Sequence, residues 1–338
     1  MARKLKRDLT MEEQLARGPV DLPFLMLVLM LTGIGVVMVF SASFATAFYV
    51  NDNPTYYFMR QLLFAVAGIA IMYVTSRINY QSYRWMSVFV LGIAFISLLL
   101  VFTPLGWGRA EVGAQRWVYI GPINFQPSEI AKLGVVLYFA SRLSKRNTEK
   151  PRRLNPRSVL SGPLGFLQRI GFLELVPYIL ILGAVAGLML LEPHMSGTIL
   201  ILVGGAAVLF AAGIKLYWFV GGGALAAAGL GFIITATPYM TSRIELWKDP
   251  WSDPLGKGFQ TIQSLYAIGS GGLLGLGLGK SRQKFLYLPE PENDFIFSIV
   301  CEELGLVGAT VVLILFALLI IRGYWIAIHA RDRFGALL

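Results

Sequence analysis

Cysteine occurs once in this 338-residue chain, at Cys301, and histidine twice, at His194 and His329. A single cysteine excludes an internal disulfide. Its place inside an apolar run marks it as a small packing residue. The two histidines fall at opposite ends of their expected helices and on opposite sides of the membrane. That separation argues against a His/Cys metal centre and against a Ser-His-Asp triad. Charge is scarce as well. Asp, Glu, Lys and Arg make up 14% of the chain, against about 25% in a soluble domain. Hydrophobic residues make up 56%. This balance argues against a soluble globular protein and points to an all-α, polytopic membrane helix bundle.

About 20 apolar residues span a hydrocarbon core as a helix. Runs of that length predict eight spans, at residues 22–46, 59–76, 85–102, 127–143, 173–191, 196–214, 217–235 and 294–321. Two long loops, 147–168 and 236–293, separate them. The first apolar stretch follows a basic start, as in a signal peptide. At about 18 residues it is longer than a secretory h-region, so it reads as an uncleaved transmembrane helix.

Lysine and arginine set the orientation. Arg3, Lys4, Lys6, Arg7, Arg17, Arg77, Arg84, Arg142, Lys145, Arg146, Lys150, Arg152, Arg153, Arg157, Arg169, Lys215, Arg322, Arg331 and Arg333 all fall on one side of an eight-span topology. These are most of the 29 basic residues, so this side is cytoplasmic. Residues 1–20 form a cytoplasmic N-terminal tail, 21–338 the transmembrane domain, and 236–293 a large extracytoplasmic loop. The net charge of +10 is then explained by cytoplasmic loops facing anionic lipid headgroups, with no nucleic acid as partner.

Residues 269–281 read GSGGLLGLGLGKS. A phosphate-cradling loop needs a glycine where Leu274 stands, so the match fails by one residue. The glycines instead suit tight turns and close helix approach. The other unusual polar residues gather on the outer face. Pro127 opens a helix in which Glu129 and Lys132, spaced i,i+3, share a face and can pair, either as a structural ion pair or facing a substrate. The long loop carries Arg243, Trp247, Lys248 and Trp251, then a short amphipathic stretch from Gly258 to Ile268 suited to the interface. It ends in Leu288-Pro289-Glu290-Pro291-Glu292-Asn293-Asp294, where Asn293 or Asp294 is placed to cap the last helix. Glu302 and Glu303 lie about 12 Å further along that helix, two adjacent carboxylates in an apolar span.

Several motifs occur together and in order. They are Gly113-Ala114-Gln115-Arg116-Trp117, then Phe125-Gln126-Pro127-Ser128-Glu129 with Lys132. Glu192-Pro193-His194-Met195-Ser196-Gly197-Thr198 and Asp253-Pro254-Leu255-Gly256-Lys257-Gly258-Phe259-Gln260 follow. Gln263-Ser264, Gln283-Lys284, Leu288-Pro289-Glu290 and Asp294-Phe295-Ile296-Phe297 with Glu302-Glu303-Leu304-Gly305 complete the set. In this combination the chain resembles the SEDS family of shape, elongation, division and sporulation proteins, and its 284–294 stretch resembles the FtsW and SpoVE type more than RodA. The resemblance implies a ten-helix fold, of which about eight helices are present here, the chain being short of the family's C-terminal end. It implies a peptidoglycan glycosyltransferase that polymerises lipid II at the outer face of the bacterial cytoplasmic membrane. A class B penicillin-binding protein is the implied partner, and a divalent cation, magnesium or manganese, can accompany the diphosphate. The family's essential acidic residue falls on Asp294.

Glycosyl transfer needs a base for the acceptor hydroxyl and cations for the leaving diphosphate. Asp294 is the expected base. Arg116, Arg243 and Lys284 are expected diphosphate contacts, and Trp117 is expected to stack on sugar or position its loop. Glu129, Lys132, Gln260, Gln263 and Ser264 complete the expected substrate-binding set. The alternative is a flippase for the same lipid-linked precursor, with Glu129, Lys132, Glu302 and Glu303 along its path.

The topology is testable by cysteine labelling in a Cys301→Ser background. Ser252→Cys should react with an impermeant reagent added outside the cell and Asn155→Cys only after permeabilisation. The reverse pattern would refute the orientation.

Overall fold

The computed structural model describes residues 20–109, 114–121, 123–145, 171–192, 194–236 and 238–338. The N-terminal tail up to residue 19 and the basic loop at 147–168 lie outside the described residues. In chain order the helices are α1 (Leu22–Asn51), α2 (Tyr56–Arg77), α3 (Tyr83–Leu100), α4 (Pro127–Ser144), α5 (Phe172–Leu191), α6 (Met195–Ala211), α7 (Leu216–Ala236), α8 (Pro238–Lys248), α9 (Phe259–Ser270), α10 (Ile296–His329) and α11 (Arg333–Leu337). Each of the eight expected spans is a helix. Among the described residues five segments are long and apolar enough to cross a membrane: α1, α2, α3 with the turn before it, α5 and α10. The helices α6 and α7 carry shorter apolar stretches, and α4 includes Glu129, Lys132 and Arg142.

The segment between α3 and α4, to which the sequence reading gave no structure, holds a three-stranded antiparallel sheet, β1 (Gly106–Arg109), β2 (Ala114–Ile120) and β3 (Ile123–Phe125), in the order β1-β2-β3. Trp107 pairs with Trp117, and Val118 with Phe125. The alternation along β2 puts Val118 in the interior while Trp117 and Tyr119 face out.

The chain forms two compact units. One comprises Asn79–Gly222 with Ala327–Leu338, the other 20–78 with Gly223–Ile326. In the first unit, α3, α4, α5 and α6 pack around Phe139, Leu98, Leu143, Met189 and Ile201, each at most 2% exposed. The Tyr178 ring meets Phe139 edge-on at 5.0 Å. A polar knot closes one end of this unit. Asp332 accepts hydrogen bonds from Tyr80 and Gln81, each at 2.8 Å, while Phe334 inserts fully into the core.

In the second unit, Asp21 caps α1 by accepting from Phe24 N and also takes the Arg322 guanidinium through two bonds. The helix α10 is broken. At Gly305 the backbone turns to φ 68°, ψ −170°, and a helix resumes beyond it. A break inside an apolar span leaves backbone groups that lipid cannot satisfy. The glycine loop that follows α9 satisfies them. Leu276 N and Gly277 N donate to the Glu302 and Glu303 carbonyls, and Leu306 N and Val307 N donate to the Gly272 and Leu273 carbonyls. Gly275 and Gly305 meet backbone to backbone there. Both have positive φ, and a Cβ on either would collide with the other strand of chain.

Side chains lock the same junction. Glu302 and Glu303 are 1% and 0% exposed. The Glu303 carboxylate accepts from Ser41 Oγ at 2.7 Å, Gly279 N at 2.9 Å, Ser281 N at 3.2 Å and Lys284 Nζ at 3.0 Å. Glu302 accepts from the Ser281 hydroxyl and from Arg282 N. Successive loop amides thus form an anion-binding concavity, and its anions are the chain's own carboxylates.

Removing one member of a buried ion pair costs about 3–5 kcal/mol. Lys284→Met should lower stability by that order in a detergent unfolding assay, and adding Glu303→Gln should recover part of it. A single-mutant loss below about 1 kcal/mol would contradict the network's importance.

Candidate active site

The expected residues divide between the two units. In the second unit, Asp294 stands on the loop between the glycine segment and α10. That loop has two inward anchors, Lys284 at 3% and Leu288 at 1% exposure, with Phe285, Leu286 and Tyr287 exposed between them. Leu288 packs with Met38, Ala42, Ile299 and Val300. Gln260, on α9, donates its amide to the Pro289 carbonyl at 3.0 Å. One turn later Ser264 pairs with Ser298 of α10 at 2.7 Å, both buried. The helix α9 therefore grips both flanks of Asp294. The loop holds two non-glycine residues in the left-handed region, Leu286 at φ 65° and Glu290 at φ 47°. Strain of this kind, about 1–3 kcal/mol per residue, persists only where the surroundings enforce it, and it gathers at functional sites.

Asp294 itself is exposed and lies in a turn, two residues before α10 begins at Ile296. Neither it nor Asn293 caps that helix through its side chain, contrary to the sequence reading. The first amides of α10 turn instead on backbone carbonyls, Ile296 N to Asn293 O and Ser298 N to Phe295 O. Among the described residues the Asp294 carboxylate has no hydrogen bond and no ion pair. Its neighbour Glu292 is half-buried, and burial pushes its carboxyl up, with Glu290 adding to the shift.

Lys284 requires a correction. It is not available to a diphosphate, because its three ammonium protons go to Glu303, Ser41 and the Gly279 carbonyl. Glu302 and Glu303 do not line an open path either, since both are enclosed by the glycine loop. Arg243 is exposed on α8, a helix the sequence reading left as loop, and Gln263 is half-exposed on α9.

In the first unit, Arg116 and Trp117 alternate along β2. Arg116 is half-buried on the Val118 side and Trp117 is 40% exposed on the other. Lys132 and Glu129 pair at 2.8 Å, with 35% and 61% of their side chains exposed. A pair so open is worth at most about 1 kcal/mol to the fold. Two further residues of this unit were quoted from the sequence and given no role there. Glu192, at the C-terminal end of α5, is buried to 3% exposure. Burial pushes its carboxyl up to about 7, with the Arg116 guanidinium pulling the other way. His194 opens α6, its Nε2 lies 3.4 Å from Gln126 Nε2, and burial, then Arg116, holds its imidazole below the ordinary value. The signal for both was the Glu-Pro-His run between two apolar helices.

Among the described residues no group of three or more His, Cys, Asp or Glu could hold a metal ion.

Known proteins share this architecture. The stage V sporulation protein E of Bacillus subtilis is 38% identical over 94% of this chain and 81% of its own length. The probable peptidoglycan glycosyltransferase FtsW of Geobacter sp. strain M18 is 38% identical over 94% of this chain and 82% of its own length. Among solved structures, a chain of a peptidoglycan synthase complex that coordinates polymerization and crosslinking superposes with a TM-score of 0.68 at 26% identity, covering 94% of this chain and 81% of that one. The family profile for cell cycle proteins of the FtsW, RodA and SpoVE kind matches residues 22–338. The chain belongs to the FtsW/RodA/SpoVE family, the group its sequence motifs resembled.

Proposed function

We propose that this chain is a multi-pass peptidoglycan glycosyltransferase that polymerises lipid II at the outer face of the bacterial cytoplasmic membrane, with its N-terminus in the cytoplasm and Asp294 as general base. The observation that carries the assignment of Asp294 is its state. It is an exposed carboxylate without a partner among the described residues, at the head of a transmembrane helix, on a loop fixed at Lys284, Leu288 and Pro289. The names of the relatives support the reaction class.

Lipid II joins a membrane-embedded polyprenyl tail to a diphosphate and a disaccharide, so its reacting sugar is held at the interface. Asp294 takes the proton of the acceptor hydroxyl as that oxygen attacks the donor's anomeric carbon, and the bond to the diphosphate breaks. General-base catalysis of this kind contributes about 10²–10⁴-fold. Arg243, an exposed cation of the same unit, is proposed to meet the diphosphate, with Gln263 as a further polar contact. Gln260 and Ser264 act by holding α9 against the Asp294 loop. Arg116, Trp117, Glu129 and Lys132 are the proposed substrate contacts of the first unit. A class B penicillin-binding protein is the proposed partner that crosslinks the product, in keeping with the synthase complex among the structural relatives.

Asp294→Asn preserves shape and removes the base. It should insert normally and lower lipid II polymerisation by about 10²–10⁴-fold, and a loss under about tenfold in a folded variant would remove Asp294 from this role. Wild-type protein in liposomes should yield glycan strands from lipid II. Flipping without polymer would identify a flippase, and neither outcome a scaffold.

Co-expression with a class B penicillin-binding protein and purification in mild detergent should yield a complex. Recovery of the two proteins in separate fractions would count against the partnership.

A further inference from the structure

Two helices of the first unit begin side by side, and neither is capped by a side chain. Gln126 precedes α4 and His194 precedes α6, and their side chains meet at 3.4 Å. Further along, Gly205 of α6 lies against the Phe139 ring of α4, so the two helices run parallel. Each helix N-terminus carries roughly half a positive charge, and in a parallel pair these charges add. The first turn of α6 contains no acidic residue. In α4, Glu129 is already paired with Lys132. The amides of Ser128, Met195, Ser196 and Gly197 donate to no acceptor among the described residues.

Two buried side chains add donors at the same place. Ser128 is 1% exposed, and its hydroxyl has no partner. His194 is 8% exposed. The Gln126 amide donates to its Nε2, which assigns the ring proton to Nδ1. That Nδ1 also has no partner. It lies over the first turn of α6, where a Cβ on Gly197 would fall 2.9 Å from it. Glycine at this position therefore lets the imidazole rest against the unbonded amides. Glu192 accepts from none of these donors among the described residues. Buried donors that converge without an acceptor call for a reason.

Resting on the reading that the chain transfers sugar from a polyprenyl diphosphate, we propose that the paired N-termini of α4 and α6 hold a phosphate group of that diphosphate, through Ser128, the His194 Nδ1–H and the first amides of α6. A phosphate offers several oxygens to donors that arrive from two helices, and helix N-termini suit it by both amide direction and dipole. Ser196 is exposed while Ser128, His194 and Gly197 are buried, so the site opens to the outside at one edge. Fixed donors of this kind favour the diphosphate most as its negative charge grows on leaving the sugar.

The test titrates the full chain in detergent with a polyprenyl diphosphate, against the polyprenyl alcohol of equal length. The wild type should bind the diphosphate far more tightly than the alcohol. Ser128→Ala should cost about tenfold in affinity for the diphosphate, as expected for one hydrogen bond to a charged group. It should leave the ligand-free melting temperature unchanged or raised, because it removes an unsatisfied buried hydroxyl. A hydroxyl that serves only the fold gives the opposite pair of results, a lower melting temperature and unchanged affinity. Ser196→Asp puts a carboxylate on the exposed edge of the first turn of α6. It should raise the ligand-free melting temperature and weaken diphosphate binding by a similar factor, and it decides the matter even if Ser128→Ala folds poorly. Unchanged affinity in either folded variant, or a wild type that polymerises lipid II without preferring diphosphate to alcohol, would overturn the proposal and leave the reading of the activity standing. A wild type that neither polymerises lipid II nor binds the diphosphate overturns both. Phosphatidylglycerol tests the other source of a phosphate. If the two substitutions weaken its binding as much as that of the diphosphate, the site holds lipid headgroups and the assignment to substrate falls.

Discussion

Two carboxylates removed from water set the terms for the second unit. Desolvating Glu302 and Glu303 side by side costs several kcal/mol per charge, and only close pairing with further hydrogen bonds offsets it. The chain meets that demand by folding its own glycine-rich segment around them. Loop amides, the Ser41 and Ser281 hydroxyls and the Lys284 ammonium all converge there. The break at Gly305 belongs to the same solution, because the carbonyls and amides it frees are taken by that segment. The position of Lys284 fixes where the following loop starts, and so where Asp294 stands.

The second unit therefore keeps its bound charges and its free charge apart. Glu302, Glu303 and Lys284 spend their capacity on one another and on the backbone. Asp294, ten residues beyond Lys284, is left without a partner among the described residues. The left-handed backbone at Leu286 and Glu290 shows that this loop is held in shape rather than relaxed. In the first unit the arrangement differs. There burial pushes the Glu192 carboxyl up to about 7, against the pull of the Arg116 guanidinium.

The helices were legible from the sequence because lipid demands about 20 apolar residues per crossing, and the eight runs of that kind are helical. The ends were less legible. Leu22 to Asn51 outruns its apolar stretch, since a helix continues into the interface wherever its backbone bonds persist. The three-stranded sheet was missed because its strands are three to seven residues long, too short for alternation to register. The roles of Lys284, Glu302 and Glu303 were hidden for a different reason. Lysine near a membrane surface reads as a ligand for anions, and paired glutamates in an apolar helix read as a path. Only the fold of residues 271–284 against α10 shows that they satisfy each other. The glycines of that segment were read correctly as a means of close approach, though not as the lining of a helix break. Asp294 was legible as a position, from a motif, while its freedom from any cap was visible only in three dimensions.

The glycine loop also constrains how the protein is made. Residues 271–284 leave the ribosome before α10, and Ser41 leaves long before either. The first half of α10 cannot rest in lipid with two bare carboxylates, and the loop has no reason to hold its left-handed turns without them. Each piece lowers the cost of the other, and the Ser41 hydroxyl on α1 adds a further bond to Glu303. For this segment the unit of stability is a three-part assembly rather than a single helix, a dependence that hydropathy alone does not reveal.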